Sequence, residues 1–242
     1  MFRTTLWYIF FWLYLILSPL FFIPFAGIAV TGKRKLLDRY VLLLSTVWGR
    51  VLIRAAGGTV TVTGLEHIPQ QNRVCFIANH QGGFDIPLIF GYIPRITGFI
   101  AKKELLFIPI LNIWMKVYHC IFINRSNRRD SVKAIRRGVE QIKKGRPMVI
   151  FPEGTRSQCR RMGPFKSGSL KLAIRSNAAI VPITIDGSYK LKEANGGIMK
   201  PASVKLIIHP SLDGTFYKDE NSQELAEKLW HIINAPLTGA AR

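Results

Sequence analysis

The first thirty residues limit what this chain can fold into. From Leu6 to Val30 no residue is charged, and a run of that length is enough to cross the hydrocarbon core of a bilayer. Pro19 and Pro24 interrupt the run, which argues against one straight spanning helix. A cleaved signal peptide fits poorly, because only Arg3 precedes the apolar run and the run is long. We therefore expect a membrane anchor.

A second segment, up to residue 56, has the pattern of an amphipathic helix. Its apolar residues recur at helical spacing and its arginines can extend toward lipid headgroups. The apolar set is Leu37, Val41, Leu44, Trp48, Val51 and Leu52, and the arginines are Arg39, Arg50 and Arg54. Two arrangements remain open. In one, one or two helices span the membrane, with the basic residues 33–35 on the cytoplasmic side; in the other, a helical hairpin lies in one leaflet.

The overall charge supports the same interpretation. The chain carries 34 Lys and Arg against 14 Asp and Glu, a formal charge of +20, which predicts an anionic partner. Yet 48% of its 242 residues are hydrophobic, a composition that suits a lipid surface better than nucleic acid. Cys75, Cys120 and Cys159 have no CxxC spacing, so we expect reduced thiols in a cytosolic compartment.

From residue 57 onward, short apolar runs alternate with helical ones. The predicted strands are 59–64, 74–79, 97–102, 120–125, 147–152, 179–185 and 204–210, and the clearest helices are 130–145, 167–176 and 222–234. The strands are rich in β-branched and aromatic residues without strict alternation, which is typical of a sheet covered on both faces. We expect residues 57–242 to form one α/β domain, a mixed sheet with helices on both faces, behind the helical anchor of residues 1–56. The last eight residues are expected to fray.

The stretch "ANHQGGFD" (78–85) joins the end of a predicted strand to a predicted helix. A loop there can bring His80 and Asp85 together, and a histidine beside a carboxylate is a base with its orienting partner. The alternative is that Asp85 only caps the helix and His80 only ends the strand. No G-x-S-x-G motif supplies a nucleophile, so the pair would act directly on a substrate hydroxyl. The five histidines are scattered, and no metal site is predicted.

Three further stretches place cations where predicted strands end. "FPEGTRS" (151–157) offers Arg156, whose fork suits phosphate, although it could be an ordinary surface residue. Arg125 follows the strand of "IFINR", at the end where open α/β sheets bind ligands. Lys102 and Lys103 end another predicted strand, and their charges are expected near the same end of the sheet.

"IVPITI" (180–185), with its Val181-Pro182 break, is interpreted as an edge or pocket-lining strand.

Taken in order, the blocks "NHQGGFD", "KKELLFIP", "IFINR", "FPEGTRS", "GPFKSG" and "IVPITI" resemble the glycerolipid acyltransferase family. They are similar to its bacterial 1-acyl-sn-glycerol-3-phosphate (lysophosphatidic acid) acyltransferases, over residues 60–187. There are departures: Gly82 stands where serine is frequent, Asn124 where aspartate is common, and His119 and Asn112 where glycine is frequent.

The resemblance implies roles for individual residues. His80 would be the general base and Asp85 its orienting partner. Glu153, Gly154, Thr155 and Arg156 would bind the acceptor; Arg125 would help to hold its phosphate, and so would Lys103. Residues 180–185 would line a substrate groove.

The expected reaction transfers a fatty acyl group from acyl-CoA or acyl carrier protein to lysophosphatidic acid, giving phosphatidic acid without a covalent acyl-enzyme or any cofactor. The expected location is the bacterial inner membrane, with the catalytic domain on the cytoplasmic side. Three alternatives stay open: an acyltransferase acting on glycerol 3-phosphate or another lysophospholipid, a hydrolase with an acyl-enzyme, and a non-enzymatic basic membrane-binding protein.

Overall fold

The computed structural model describes residues 1–124, 127–217 and 220–239. Within them the helices are α1 (Phe2–Leu17), α2 (Phe22–Val30), α3 (Arg34–Ala56), α4 (Asp85–Tyr92), α5 (Leu111–Val117), α6 (Arg128–Lys143), α7 (Ser167–Ser176) and α8 (Ser222–Thr238). The strands are β1 (Gly58–Thr63), β2 (Val74–Ala78), β3 (Gly98–Lys102), β4 (Ile121–Ile123), β5 (Met148–Ile150), β6 (Ala179–Asp186) and β7 (Ala202–Ile208).

The strands form one sheet in the order β1-β7-β6-β2-β5-β3-β4. Every neighbouring pair is parallel except β6 and β7, which run antiparallel, so the predicted mixed sheet is confirmed. The carboxyl ends of β2, β3, β5 and β6 therefore meet at one edge of the sheet. Ligands of open α/β sheets bind at such an edge.

Helices cover both faces of the sheet, as expected from strands without alternation. Successive side chains of β2 point to opposite faces, so Phe76 packs with α3 and α4 while Cys75 and Ile77 pack with α6, α7 and α8. On the first face α3 approaches α4 so closely that a Cβ on Gly49 would lie 2.3 Å from the carbonyl oxygen of Pro87. α4 carries Asp85, so this crossing positions part of the site.

The interpretation of residues 180–185 as an edge or groove-lining strand is wrong. β6 lies inside the sheet, between β7 and β2, and its residues 179–185 are buried. Pro182 lies opposite Ile77 in the ladder with β2, but its carbonyl accepts the N–H of His209, so its nitrogen also faces the β7 side. The ladder with β7 begins one residue later, at Ile183, so Pro182 removes no N–H from either ladder. The expected frayed tail is also shorter than predicted, since α8 continues through Pro236 to Thr238.

The N-terminal segment breaks where its prolines predicted. α1 ends at Leu17, a single 3₁₀ turn holds Pro19, and Pro24 lies in the first turn of α2. The stretch Phe2–Val30 is long and apolar enough to cross a membrane, with a mean hydropathy of 2.2 and only 11% of its most apolar part buried. Such exposed apolar surface indicates membrane association.

Hydrogen bonds tie this segment to the rest of the fold. The indole of Trp7 donates to the carbonyl of Leu52 on α3 at 2.9 Å. The indole of Trp114 on α5 donates to Ser18 at 2.7 Å and stacks on Phe22, with ring centroids 4.5 Å apart.

Candidate active site

His80 and Asp85 meet in the loop between β2 and α4. Nδ1 of His80 lies 2.6 Å from Oδ2 of Asp85, and the same oxygen accepts the backbone N–H groups of Gln81 at 2.6 Å and Gly82 at 2.9 Å. Asp85 is the first residue of α4, and the helix has no side-chain cap. Its carboxylate turns back toward the loop instead, so the interpretation of Asp85 as only a helix cap is wrong.

The other oxygen of Asp85 is held from a distant part of the chain. Ser188, just after the carboxyl end of β6, donates its hydroxyl to Oδ1 of Asp85 at 2.5 Å. Gln81 accepts the N–H of Gly187 at 2.9 Å, which fixes the turn that carries Ser188. Asp85, Gln81 and Ser188 are fully buried. A buried carboxylate must be hydrogen-bonded by protein groups, and here both of its oxygens are.

Glu153 holds the two loops of the site together. Its Oε1 accepts the backbone N–H of His80 at 2.7 Å and its Oε2 accepts that of Gly163 at 2.8 Å. Burial raises the pKa of this carboxyl group above its ordinary value, and the two N–H donors act in the opposite direction. A backbone bond from Ser157 to the carbonyl of His80, at 2.8 Å, joins the same loops.

His80 borders a cavity of about 640 Å³. One face of its ring is covered by Phe151, with centroids 4.1 Å apart and planes 16° from parallel. Among the described residues no hydrogen-bond partner is found for Nε2 of His80, so this nitrogen remains available to a ligand. With Nδ1 directed at a carboxylate, Nδ1 carries the proton and Nε2 the lone pair, an assignment made from the hydrogen bonding.

The cavity is apolar over most of its wall and basic in one part. Apolar and aromatic residues from four helices contribute; they include Trp7, Phe11, Leu15, Leu44, Trp48, Leu52, Phe84, Phe90, Trp114 and Tyr118. Lys102, Arg156 and Lys192 supply positive charge, and Nζ of Lys192 donates to the Tyr8 hydroxyl at 2.7 Å. The N-terminal helix is thus part of the wall of the site.

The structure brings together some of the predicted acceptor residues and not others. Thr155 and Arg156 line the cavity with His80, whereas Glu153 uses both oxygens on backbone N–H groups and does not line it. Gly154 forms the preceding turn, with φ +72°. Lys103 lines a different cavity, and its neighbour Lys102 lines the cavity that His80 borders. Arg125 lies outside the described residues.

Sequence reasoning missed Ser188 and Glu193. Glu193 accepts the N–H of Gly83 at 2.8 Å and so supports the loop between His80 and Asp85. Ser188 follows a predicted strand by three residues, and the rule that ligands bind beyond strand ends could have singled it out. No comparable signal marks Glu193.

The comparisons with known proteins agree with this geometry. The family model described as Acyltransferase matches residues 59–186, which include every described strand end of the site. The chain belongs to the acyltransferase family. The structure of the 1-acyl-sn-glycerophosphate acyltransferase PlsC of Thermotoga maritima superposes with a TM-score of 0.87 at 28% identity, covering 100% of this chain and 96% of that one.

Curated relatives in the family carry related names. The chain is 34% identical to a 1-acyl-sn-glycerol-3-phosphate acyltransferase of Borreliella burgdorferi, over 68% of this chain and 66% of that protein. It is 33% identical to a probable enzyme of the same name in Mycoplasma pneumoniae, over 74% and 71%. It is 30% identical to a chloroplastic one of Brassica napus, over 80% and 58%. The chain thus spans about half to two thirds of the length of several relatives.

Proposed function

We propose that this acyltransferase moves a fatty acyl group from an acyl thioester to the free hydroxyl of lysophosphatidic acid and forms phosphatidic acid. The observation that carries the proposal is the position of His80. Its Nδ1 is fixed by Asp85, and the residue borders a cavity that is apolar over most of its wall and also holds Lys102, Arg156 and Lys192. A lysophospholipid has the matching parts: an acyl chain, a free hydroxyl and a phosphate.

The reaction follows from this arrangement. Nε2 of His80 accepts the proton of the acceptor hydroxyl as the oxygen attacks the thioester carbonyl carbon. Asp85 stabilises the imidazolium that forms, because its carboxylate accepts the Nδ1 hydrogen bond. When the tetrahedral intermediate collapses, the carbon–sulfur bond breaks and His80 returns the proton to the thiolate. The products are an ester and a free thiol, and this scheme requires no acyl-enzyme, metal or organic cofactor.

The acceptor phosphate would be bound by Arg156 together with Lys102, since both line the cavity of His80. Arg156 can bind two phosphate oxygens at once, and Lys102 adds a point charge. The role expected of Arg125 stays a prediction. In this proposal Lys102 takes the phosphate-binding role that was expected of Lys103.

The membrane supplies both the substrate and the surface on which it is used. We propose that residues 1–56 attach the protein to the cytoplasmic side of the bacterial inner membrane and that residues 57–242 carry the chemistry. Side chains of α1 and α3 form part of the cavity wall, so the segment proposed to attach the protein to the membrane also borders the site. The donor would be acyl-CoA or acyl carrier protein.

The experiment is acyl transfer by the detergent-purified full chain, with lysophosphatidic acid, glycerol 3-phosphate and lysophosphatidylcholine as rival acceptors and with both donors. We expect lysophosphatidic acid to be acylated in preference to the other two. Preference for either rival would replace the proposed acceptor. Failure with all three under both donors would exclude the proposed activity. Acyl labelling of a serine or cysteine together with release of free fatty acid would indicate a hydrolase.

A further inference from the structure

A second cavity, of about 470 Å³, shares part of its lining segment with the His80 cavity. Lys102 and Leu105 line the His80 cavity, whereas the adjacent residues Lys103 and Leu106 line the second one. Cys120 borders both. A volume of this size is within the range of small-ligand sites.

The opposite wall of this cavity is one face of α6 and its end. The residues that line it recur every three or four positions, so they form a single stripe along the helix. They are Asp130, Lys133, Arg137, Glu140 and Lys144, together with the smaller Ala134 and the polar Gln141. Residues 130 and 144 are fourteen apart, which corresponds to a stripe about 21 Å long at 1.5 Å per residue.

The cations of this cavity are exposed to solvent and outnumber its carboxylates. With Lys103 the lining holds four cations against the carboxylates of Asp130 and Glu140. The ion pairs within 4.0 Å among the described residues are His80–Asp85, Arg160–Asp186 and Lys228–Glu220, and none involves a cation of this cavity. Lys133 and Arg137 are like charges one helical turn apart, which repel each other in the absence of an anion.

Two exposed apolar side chains adjoin lining residues of this cavity in the sequence. Phe107, next to Leu106 of the lining, is 76% exposed, and Val132, next to Lys133, is 59% exposed. The same segment continues into α5, which Trp114 ties to Ser18 of the N-terminal segment. Cations beside exposed apolar side chains suit an anionic group presented at a bilayer surface.

We propose that this second cavity is a phosphate-ester site, separate from the acceptor site beside His80. Lys103, Lys133, Arg137 and Lys144 are its ligands for the anion. The phosphate ester has two sources in reach of this protein: the headgroup of an anionic bilayer lipid, and the nucleotide phosphates of a soluble acyl donor. The inference goes beyond the proposed reaction, because binding here does not depend on turnover.

Two triple variants of α6 distinguish anion binding in the cavity from general attraction by the positive charge of the helix. Lys133→Gln/Arg137→Gln/Lys144→Gln removes three charges from the cavity face. Arg129→Gln/Arg136→Gln/Lys143→Gln removes three charges from the same helix, at exposed positions that do not line the cavity. Glutamine has nearly the helix propensity of lysine and arginine, and a thermal unfolding curve checks that both variants fold.

Binding is measured on the full chain in detergent with two probes. One is adenosine 3′,5′-bisphosphate, titrated by calorimetry; the other is phosphatidylglycerol against phosphatidylcholine, counted as lipid retained in native mass spectrometry. We expect the cavity triple to weaken one of the two probes by about tenfold or more and the control triple to change it by about twofold at most, because only the cavity triple removes cations that line the site. If the nucleotide is the probe that is weakened, the phosphate ester comes from the acyl donor. If the lipid is weakened, it comes from the bilayer.

A matched pair of single variants excludes binding at the other cavity. Lys103→Gln should weaken the same probe as the cavity triple, whereas Lys102→Gln, one residue away, should not. The proposal would be overturned if both triple variants lost binding equally, or if the parent bound neither probe. It would also be overturned if Lys102→Gln weakened binding and Lys103→Gln did not. None of these experiments measures acyl transfer. The proposal of a second site can therefore be wrong while the proposed function is right, and the proposed function can be wrong while the second site is right.

Discussion

Ser188 donates a hydrogen bond to Oδ1 of Asp85 at 2.5 Å, while Oδ2 of the same carboxylate receives the imidazole of His80 at 2.6 Å. Ser188 and Asp85 are fully buried, so bulk water does not solvate this carboxylate. The hydroxyl of Ser188 therefore shares the negative charge that Asp85 presents to His80. This makes Ser188 a positioning residue of the site.

Ser188→Ala should lower kcat/KM by about tenfold or more, because a hydrogen bond to a charged group contributes about 1.5–3 kcal/mol. Ser188→Thr keeps the hydroxyl and should recover most of the parental kcat/KM. The measurement is kcat/KM of the parent and both variants, with folding checked by thermal unfolding, and a folded Ser188→Ala at the parental kcat/KM would reduce Ser188 to a packing role.

Glu153→Gln should destabilise the protein and reduce turnover, because an amide replaces one of two oxygens that accept backbone N–H groups from His80 and Gly163. Leaving a buried donor without a partner costs about 1–3 kcal/mol. The pKa of Glu153 is raised in the folded state by burial, so its carboxyl binds more protons folded than unfolded. The contribution of Glu153 to the free energy of unfolding is therefore complete below its pKa in the unfolded chain. It declines as pH rises through its pKa in the folded protein.

The check for Glu153 is denaturant unfolding of parent and variant from pH 4 upward. The stability advantage of the parent over Glu153→Gln should be largest at the acid end and shrink as pH rises. An advantage that grows with pH would mean that the folded protein lowers this pKa.

Gly82→Ala should disturb the site through Glu193. A Cβ at position 82 would lie 2.6 Å from Oε2 of Glu193, the far end of a flexible side chain that can move aside. In moving, Glu193 would lose its hydrogen bond from Gly83, a change of about 1.5–3 kcal/mol for a bond to a charged group. Glu193→Ala removes the same bond, so the double variant should be no worse than either single one. Additive losses in turnover in this double-mutant cycle would contradict the coupling.

Gly49→Ala should destabilise the fold, because its Cβ would meet only backbone atoms of α4: the oxygen of Pro87 at 2.3 Å and the nitrogen of Gly91 at 2.6 Å. Overpacking of this kind costs about 1–3 kcal/mol, which exceeds the roughly 1 kcal/mol that alanine gains in a helix. Gly168→Ala is the control, since nothing lies within 4 Å of the point that a Cβ on Gly168 would occupy. Thermal unfolding should show a loss at residue 49 and no loss at residue 168.

The sequence predicted the parts of the site that are local in the chain. His80 and Asp85 are five residues apart, so a strand end, two glycines and a helix start were enough to bring them together. Ser188 and Glu193 reach the same loop from 103 and 110 residues away, and that contact depends on the position of β6 beside β2. The Val181-Pro182 break predicts an edge or groove for residues 180–185, but a proline does not encode strand order, and β6 lies in the interior of the sheet.

Lys102 and Lys103 show the same limit of prediction from sequence, here between two neighbouring residues. They are adjacent and both carry one charge, so composition cannot distinguish them. Lys102 is the last residue of β3 and Lys103 the first of the 3₁₀ turn that follows, and each lines a different cavity. The anchor was more predictable, because a run without charges and with two prolines fixes both its apolar surface and its break.

The most direct test of the base role of His80 is turnover of lysophosphatidic acid with an acyl thioester by the parent, His80→Ala and His231→Ala. His231 is an exposed histidine on α8, outside the site. We predict that His80→Ala is folded and loses turnover by a factor of about 10² or more, the usual contribution of a general base, while His231→Ala matches the parent. If folded His80→Ala acylates lysophosphatidic acid at the parental rate, His80 is not the base and the mechanism is wrong.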